Sequence, residues 1–73
     1  MGYRVPRRFV IAVTNVNGRK DYYAGSRDGQ PTWSNDLIDA FQFRGETELD
    51  AALILAKTLG AKVYQRGIMV ECW

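Results

Sequence analysis

The feature that most constrains this chain is a short stretch, residues 9–13, in which every side chain is apolar. Phe9, Ile11 and Val13 alternate with Val10 and Ala12. Because successive side chains of a strand point to opposite faces, the run predicts a strand with two apolar faces, and therefore a central strand of a sheet. A chain of 73 residues has room for one domain, so we predict a single domain spanning residues 1–73.

A turn follows this strand at Asn17-Gly18, the pair favoured in two-residue type I′ turns, where both positions need a positive φ. The chain is expected to fold back as a second strand over residues 19–24. In that register Val16 faces Arg19, Val13 faces Tyr22 and Ile11 faces Ala24.

The next segment, residues 25–31, is rich in turn-forming residues and poor in apolar ones, which predicts a loop. Trp33 ends the loop, and we interpret it as a core anchor rather than a contact residue, because a small core needs its area. Ser34 or Asn35 is placed to cap a short helical turn that starts at Asp36. The alternating aromatics at Phe41-Gln42-Phe43 are also compatible with a short strand.

A helix is predicted over residues 46–59, with Gly60 as its stop signal. Acidic residues crowd its first turns and Lys57 lies near its end, which suits the helix dipole. Ile54 falls outside its apolar stripe. The stripe follows the i, i+3, i+4, i+7 pattern of one buried face and consists of Leu49, Ala52, Leu53, Ala56 and Leu59.

The tail, residues 61–73, is predicted to be strand, split by a turn or a bulge at Gly67, with Ile68, Val70 and Cys72 on one face. The element order is therefore β-β-(short helical turn)-α-β. The fold class that follows is α+β: an antiparallel sheet of about three to four strands with one main helix packed on one face.

The residue types of common catalytic and metal sites are scarce. The chain has no histidine and a single cysteine, Cys72, whose neighbour Glu71 disfavours a thiolate. The acidic pairs Asp36/Asp39 and Glu46/Asp50 are typical of solvated helix starts. The glycines of residues 25–29 lack the lysine and the helix of a phosphate loop. We therefore predict a protein that is not an enzyme and has no catalytic, metal or cofactor site.

The same counts bear on the compartment and on the class of partner. One cysteine cannot form an internal disulfide, which favours a reducing, cytoplasmic setting. The apolar runs fall far short of the roughly 20 residues of a membrane span, so no membrane partner is expected. The net charge of +2 permits contact with nucleic acid but does not argue for it.

The clearest functional signal is a mixture of aromatic and basic residues on the second strand. Tyr22 and Tyr23 are adjacent, so one of them must point away from the helix. Three interpretations stay open: core packing, a protein contact, or stacking on nucleic-acid bases. The candidate partner-binding residues are Arg7, Arg8, Arg19, Lys20, Tyr22, Tyr23, Arg27 and Asp28.

Residues 9–59 carry a pattern of hairpin, aromatic plug and capped helix: Tyr22-Tyr23-Ala24-Gly25, Trp33, Asp36, Ala40, Phe43 and a helix from Glu46. This pattern resembles small phage and prophage accessory proteins of unknown function. The chain departs from it in the long stretch of residues 27–32 and in Leu49, where a small alanine is usual.

The resemblance implies a non-enzymatic protein that binds a host protein or complex, as anti-CRISPR and other anti-defence inhibitors do, in the cytoplasm of a bacterial host. The contact is then expected at residues 19–32 or on the sheet face opposite the helix. The alternative is a small nucleic-acid-binding domain that uses Arg7, Arg8, Arg19, Lys20 and one of the two tyrosines.

Overall fold

A computed structural model describes residues 7–66, 70 and 71, and it confirms the α+β class. The sheet is antiparallel, with strand order β3-β2-β1-β5-β6, and β4 is a further partner of β1. The elements are β1 (Arg8–Thr14), β2 (Lys20–Arg27), β3 (Gln30–Ser34), a 3₁₀ turn (Leu37–Asp39), β4 (Phe43–Arg44), α1 (Gly45–Leu59), β5 (Lys62–Gln65) and β6 (Val70–Glu71).

The central position of β1 is confirmed. One edge of β1 pairs with β5, and the other pairs with β2 at one end and with β4 at the other. Phe9, Val10, Ile11 and Ala12 are all buried. Their alternation divides the core into two layers, because odd and even positions of a strand face opposite ways.

One layer lies under the helix and the other lies on the opposite face of the sheet. In the first, buried residues of α1 pack on Phe9, Ile11 and Val63. In the second, Val10, Ala12 and Tyr64 are covered by Leu37 and Ala40 from the segment around the 3₁₀ turn. The sheet therefore has a helix side and a turn side, and these two names are kept below.

The first hairpin is present, but the predicted two-residue turn and its register are wrong by one residue. Thr14 pairs with Lys20 and Ala12 with Tyr22, so Val13 faces Asp21. Gly18 donates its N–H to the carbonyl of Asn15 at 3.0 Å and has a φ of 79°. This is a type I turn closed by a left-handed glycine, the usual form of a three-residue hairpin loop.

The loop predicted for residues 25–31 is instead a second hairpin. Arg27 pairs with Gln30 across a two-residue turn in which Asp28 and Gly29 have φ values of 53° and 76°. Asp28-Gly29 is a favoured type I′ pair, a hairpin signal that the loop prediction did not use. The pairing of β2 with β3 is interrupted by a bulge between Tyr23 and Ser26 of β2. Since β3 comes from this segment and β4 from residues 43 and 44, the sheet has more strands than predicted.

The segment between β3 and α1 crosses from the turn side into the sheet. The predicted helical turn is confirmed, but its cap is Asp36, which accepts the N–H of Ile38 at 3.0 Å, and not Ser34 or Asn35. Phe41 then donates its N–H to the carbonyl of Tyr23 at 2.8 Å, and Phe43 pairs with Phe9. Residues 40–44 thus lie between β1 and β2, where these two strands diverge.

The helix and its end are as predicted. Leu49, Ala52 and Ala56 are buried, and Gly60 ends the helix with a φ of 68°. The tail forms two strands, because β6 runs antiparallel to β5. The predicted break at Gly67 and the predicted positions of Ile68 and Cys72 lie outside the described residues.

Candidate functional site

The predicted contact residues do not form one site. Arg19 and Lys20 follow the first turn, whereas Arg7 and Arg8 lie at the other end of β1. These ends are about 20 Å apart at the usual rise of 3.3 Å per strand residue. Arg27 and Asp28 lie at the tip of the second hairpin and are exposed.

Lys20 and the two tyrosines are largely engaged in packing. The Nζ of Lys20 lies 5.1 Å from the centre of the Tyr64 ring, within the range of a cation–π contact. Tyr22 is half-buried in the turn-side layer. Tyr23 is buried on the helix side, and its hydroxyl lies 2.8 Å from the Oγ of Ser26. The packing interpretation of the tyrosine pair therefore accounts for most of their surface.

A row of four aromatic rings extends from the core to the sheet edge on the helix side. Phe43 is buried, and its ring centre lies 5.0 Å from that of Phe41. Tyr23 lies 6.1 Å from both Phe41 and Trp33. We call the exposed end of this row, Trp33 and Phe41, the aromatic surface.

The aromatic surface lies where the second hairpin extends beyond the helix. The helix packs on β1, β4 and β5. Phe41 lies next to Gly25, where an added Cβ would be 3.9 Å from its ring. Trp33 is 38% exposed and Phe41 is 47% exposed. The prediction of Trp33 as a core anchor is therefore wrong: the residue lies on the edge strand β3, where only one neighbouring strand can cover it.

A second constellation lies at the end of the sheet where β1 begins. Arg8 pairs directly with Arg44 of β4. On its other side, the carbonyl of Arg8 accepts the N–H of Arg66 at 2.7 Å, which extends the β1–β5 register by one residue. Arg44 of β4, Arg8 of β1 and Arg66, which directly follows β5, thus stand side by side. By alternation they share the face of Val10 and Tyr64, the turn side. We call them the arginine row.

The guanidinium groups of the arginine row form no ion pair with a carboxylate in residues 7–66. Arg8 and Arg44 are exposed, and Arg66 is half-buried, with an Nε that is enclosed and has no hydrogen-bond partner. The nearby carboxylate of Glu48 accepts the backbone N–H of Arg44 at 2.9 Å.

Acid–base groups are not gathered into a pocket in the described part of the chain. Asp39 accepts a hydrogen bond from the Oγ of Ser34 at 2.9 Å, and Glu46 and Asp50 are exposed on the first turns of α1. Two surface depressions, of about 350 and 320 Å³, are lined by apolar residues, glycine, lysines, Thr14 and Tyr64, with no carboxylate among them. Residues 7–66 hold no cluster of His, Cys, Asp or Glu suited to a metal ion.

Comparison with protein-family models, with curated proteins and with solved structures finds no match for this chain. The resemblance to phage accessory proteins therefore stays a prediction. Within the described ranges, no helix is both long enough and apolar enough to cross a membrane.

Two of the residues that matter most here were missed from the sequence. Arg44 and Arg66 join Arg8 only because β4 and β5 flank β1 in this register. Neither lies in a basic run, so no local signal points to them. Phe41, by contrast, carries a usable signal, because its alternation with Phe43 places both rings on one face.

Proposed function

We propose that this protein is a non-enzymatic binding module that contacts another protein through the aromatic surface. The observation that carries the proposal is the exposure of Trp33 and Phe41 at the end of an otherwise packed aromatic row. Trp and other aromatic residues dominate the energetic centres of protein interfaces, because they bury a large area with few rotatable bonds.

The two rings are large enough to form the apolar centre of an interface, which at standard size buries roughly 800 Å² on each partner. An aromatic side chain buries 150–250 Å², so the exposed parts of these two rings amount to on the order of 200 Å². Burial of that area contributes roughly 5 kcal/mol of transfer free energy, which offsets part of the entropy cost of association. The rings are also held in place, since Tyr23 supports both from below. A partner therefore meets a preordered surface and does not have to pay for ordering it.

The second hairpin supplies the polar rim of the same contact. Arg27 and Asp28, two of the predicted contact residues, are exposed at its tip, beyond Trp33 on β3. An apolar centre with a charged rim is the usual anatomy of a protein interface. The narrower proposal, a phage-encoded inhibitor of a host defence complex, draws its support from the resemblance alone.

The test is a capture experiment from a bacterial lysate with three immobilised proteins: the unaltered chain, Trp33→Ala and Ile54→Ala. Ile54 is 71% exposed on α1 and serves as the matched control for loss of an exposed apolar side chain. We expect a stoichiometric partner that is retained by Ile54→Ala and lost with Trp33→Ala. Equal capture by all three proteins would contradict the proposed surface, provided that circular dichroism shows each to be folded.

A further inference from the structure

We propose that the arginine row, Arg8, Arg44 and Arg66, is a binding site for the phosphate backbone of a nucleic acid. The proposal is independent of the protein contact, because it uses the other face of the sheet and a different set of residues. It rests on the register of three strands and on the charges that this register brings together.

The first argument is energetic. Residues directly opposite each other on antiparallel strands have Cβ atoms about 5 Å apart, and like charges at that spacing are destabilising. Arg8 has an arginine on each side, by its pairing with Arg44 and by the bond from Arg66. The fold thus brings together three positive charges, and an anion bound across them removes their mutual repulsion.

The second argument is the hydrogen-bonding capacity of the row. Each guanidinium offers five N–H donors in a planar fork that fits phosphate oxygens. None of the three is committed to a carboxylate in residues 7–66, and the Nε of Arg66 has no acceptor. The guanidinium groups of the exposed residues Arg8 and Arg44 are therefore available to a ligand that brings several acceptor oxygens, whereas the enclosed Nε of Arg66 is not.

The third argument is that two lysines lie on the same face of the sheet as the arginine row. Alternation places Lys20 of β2 and Lys62 of β5 on the turn side too, next to Tyr22 and Ala12 in the register. The acidic residue of β2, Asp21, pairs with Val13 and belongs to the other face. Asp36 and Asp39 also lie on this side, in the segment around the 3₁₀ turn that covers Val10 and Ala12, so a bound strand of nucleic acid has to pass beside that turn to reach the lysines.

The geometry differs from the nucleic-acid alternative predicted from the sequence. That alternative relied on tyrosine stacking, but Tyr23 is buried and Tyr22 is half-buried under the segment around the 3₁₀ turn. The site proposed here contacts the phosphate groups and not the bases. It is therefore expected to bind with little sequence preference and with a strong dependence on salt.

The experiment is fluorescence anisotropy with labelled 20-nucleotide DNA, as a duplex and as a single strand, over a range of salt. Three contacts on duplex DNA predict a slope of log affinity against log salt near −2.7, or about a 40-fold loss between 50 and 200 mM. Arg8→Gln and Arg44→Gln should each weaken binding about tenfold and reduce the slope by about one.

The matched control is Lys57→Gln, which removes the same charge from an exposed position on α1. It should leave the slope unchanged. The melting temperature separates a ligand site from a structural one, because Arg8→Gln and Arg44→Gln relieve repulsion and should keep or raise it. A variant that lost both binding and stability would count against the proposal.

Two further results would overturn it. One is the absence of any anisotropy change at 50 mM salt with either DNA form. The other is displacement of the DNA by polyglutamate at an equal concentration of charge, which would assign the row to an acidic protein surface. Trp33→Ala should not alter DNA binding, so failure here and failure of the proposed protein contact are distinguishable.

Discussion

The side chain of Asn15 determines the form of the turn between β1 and β2. Its Oδ1 accepts the N–H of Asn17 at 2.9 Å and the N–H of Arg19 at 3.1 Å. The carbonyl of Asn15 also accepts the N–H of Gly18. Together these bonds hold a three-residue loop, residues 16–18, between β1 and β2. This is the side-chain-to-backbone bonding by which asparagine favours turns.

Asn15→Ala should therefore lower the free energy of unfolding by about 1 kcal/mol, since it removes the two bonds accepted by Oδ1 and the long bond, 3.5 Å, that Nδ2 donates to Asp21. Urea denaturation measures this as a lower midpoint at an unchanged m-value. Asn17→Ala is the control, because in the described residues the Asn17 side chain accepts and donates no hydrogen bond. Equal losses for the two variants would show that the Asn15 oxygen does not hold the turn.

At the scale of the element, α1 presents one buried stripe and one exposed face. Leu49 lies in the helix-side core, whereas Ile54 is 71% exposed, although both side chains are large and apolar. The difference in burial between Leu49 and Ile54 follows from their positions around the helix and not from the chemistry of their side chains.

Leu49→Ala is expected to cost 2–4 kcal/mol through lost burial and a residual cavity, while Ile54→Ala should change stability by less than about 0.5 kcal/mol. Urea or thermal denaturation compares the two variants directly. If Leu49→Ala leaves the chain unfolded, the large cost at Leu49 is also confirmed. Similar losses of stability for the two variants would mean that Ile54 is buried, contrary to the structure.

Elements with a strong local pattern were predictable from the sequence, and features that depend on pairing were not. The apolar run of β1 and the apolar stripe of α1 are each visible in one short stretch of sequence. The first turn was misjudged by one residue because Asn17-Gly18 fits two loop lengths, and the choice depends on Asn15. Trp33 was misplaced because the strand that carries it was not recognised. The arginine row was beyond prediction, since it needs the register of three segments that are distant in the chain.

At the scale of the whole molecule, protection from solvent is uneven. β1 has partners on both edges and a core layer on both faces. The tip of the second hairpin, around Asp28 and Gly29, is exposed and lies at the edge of the sheet. Local opening is easiest where few apolar contacts have to be broken.

We therefore expect native-state hydrogen exchange to fall into two classes. Amides of residues 10–12 that are bonded within the sheet should exchange only by global unfolding, and those of residues 27–30 should exchange through local opening with little dependence on denaturant. Exchange measured by NMR at several low urea concentrations separates the two classes. Uniform protection across both groups would be incompatible with this picture.

The segment that lies between β1 and β2 also limits the order in which the chain can fold. These strands are close in sequence and can pair early, within microseconds. If they pair along their full length, they occupy the place that Phe41 and Phe43 take in the final sheet. We expect that the hairpin zips only from Thr14 and Lys20 to Ala12 and Tyr22, and that the far ends stay apart until residues 40–44 enter. We then expect this insertion, and not formation of the hairpin, to set the rate of folding.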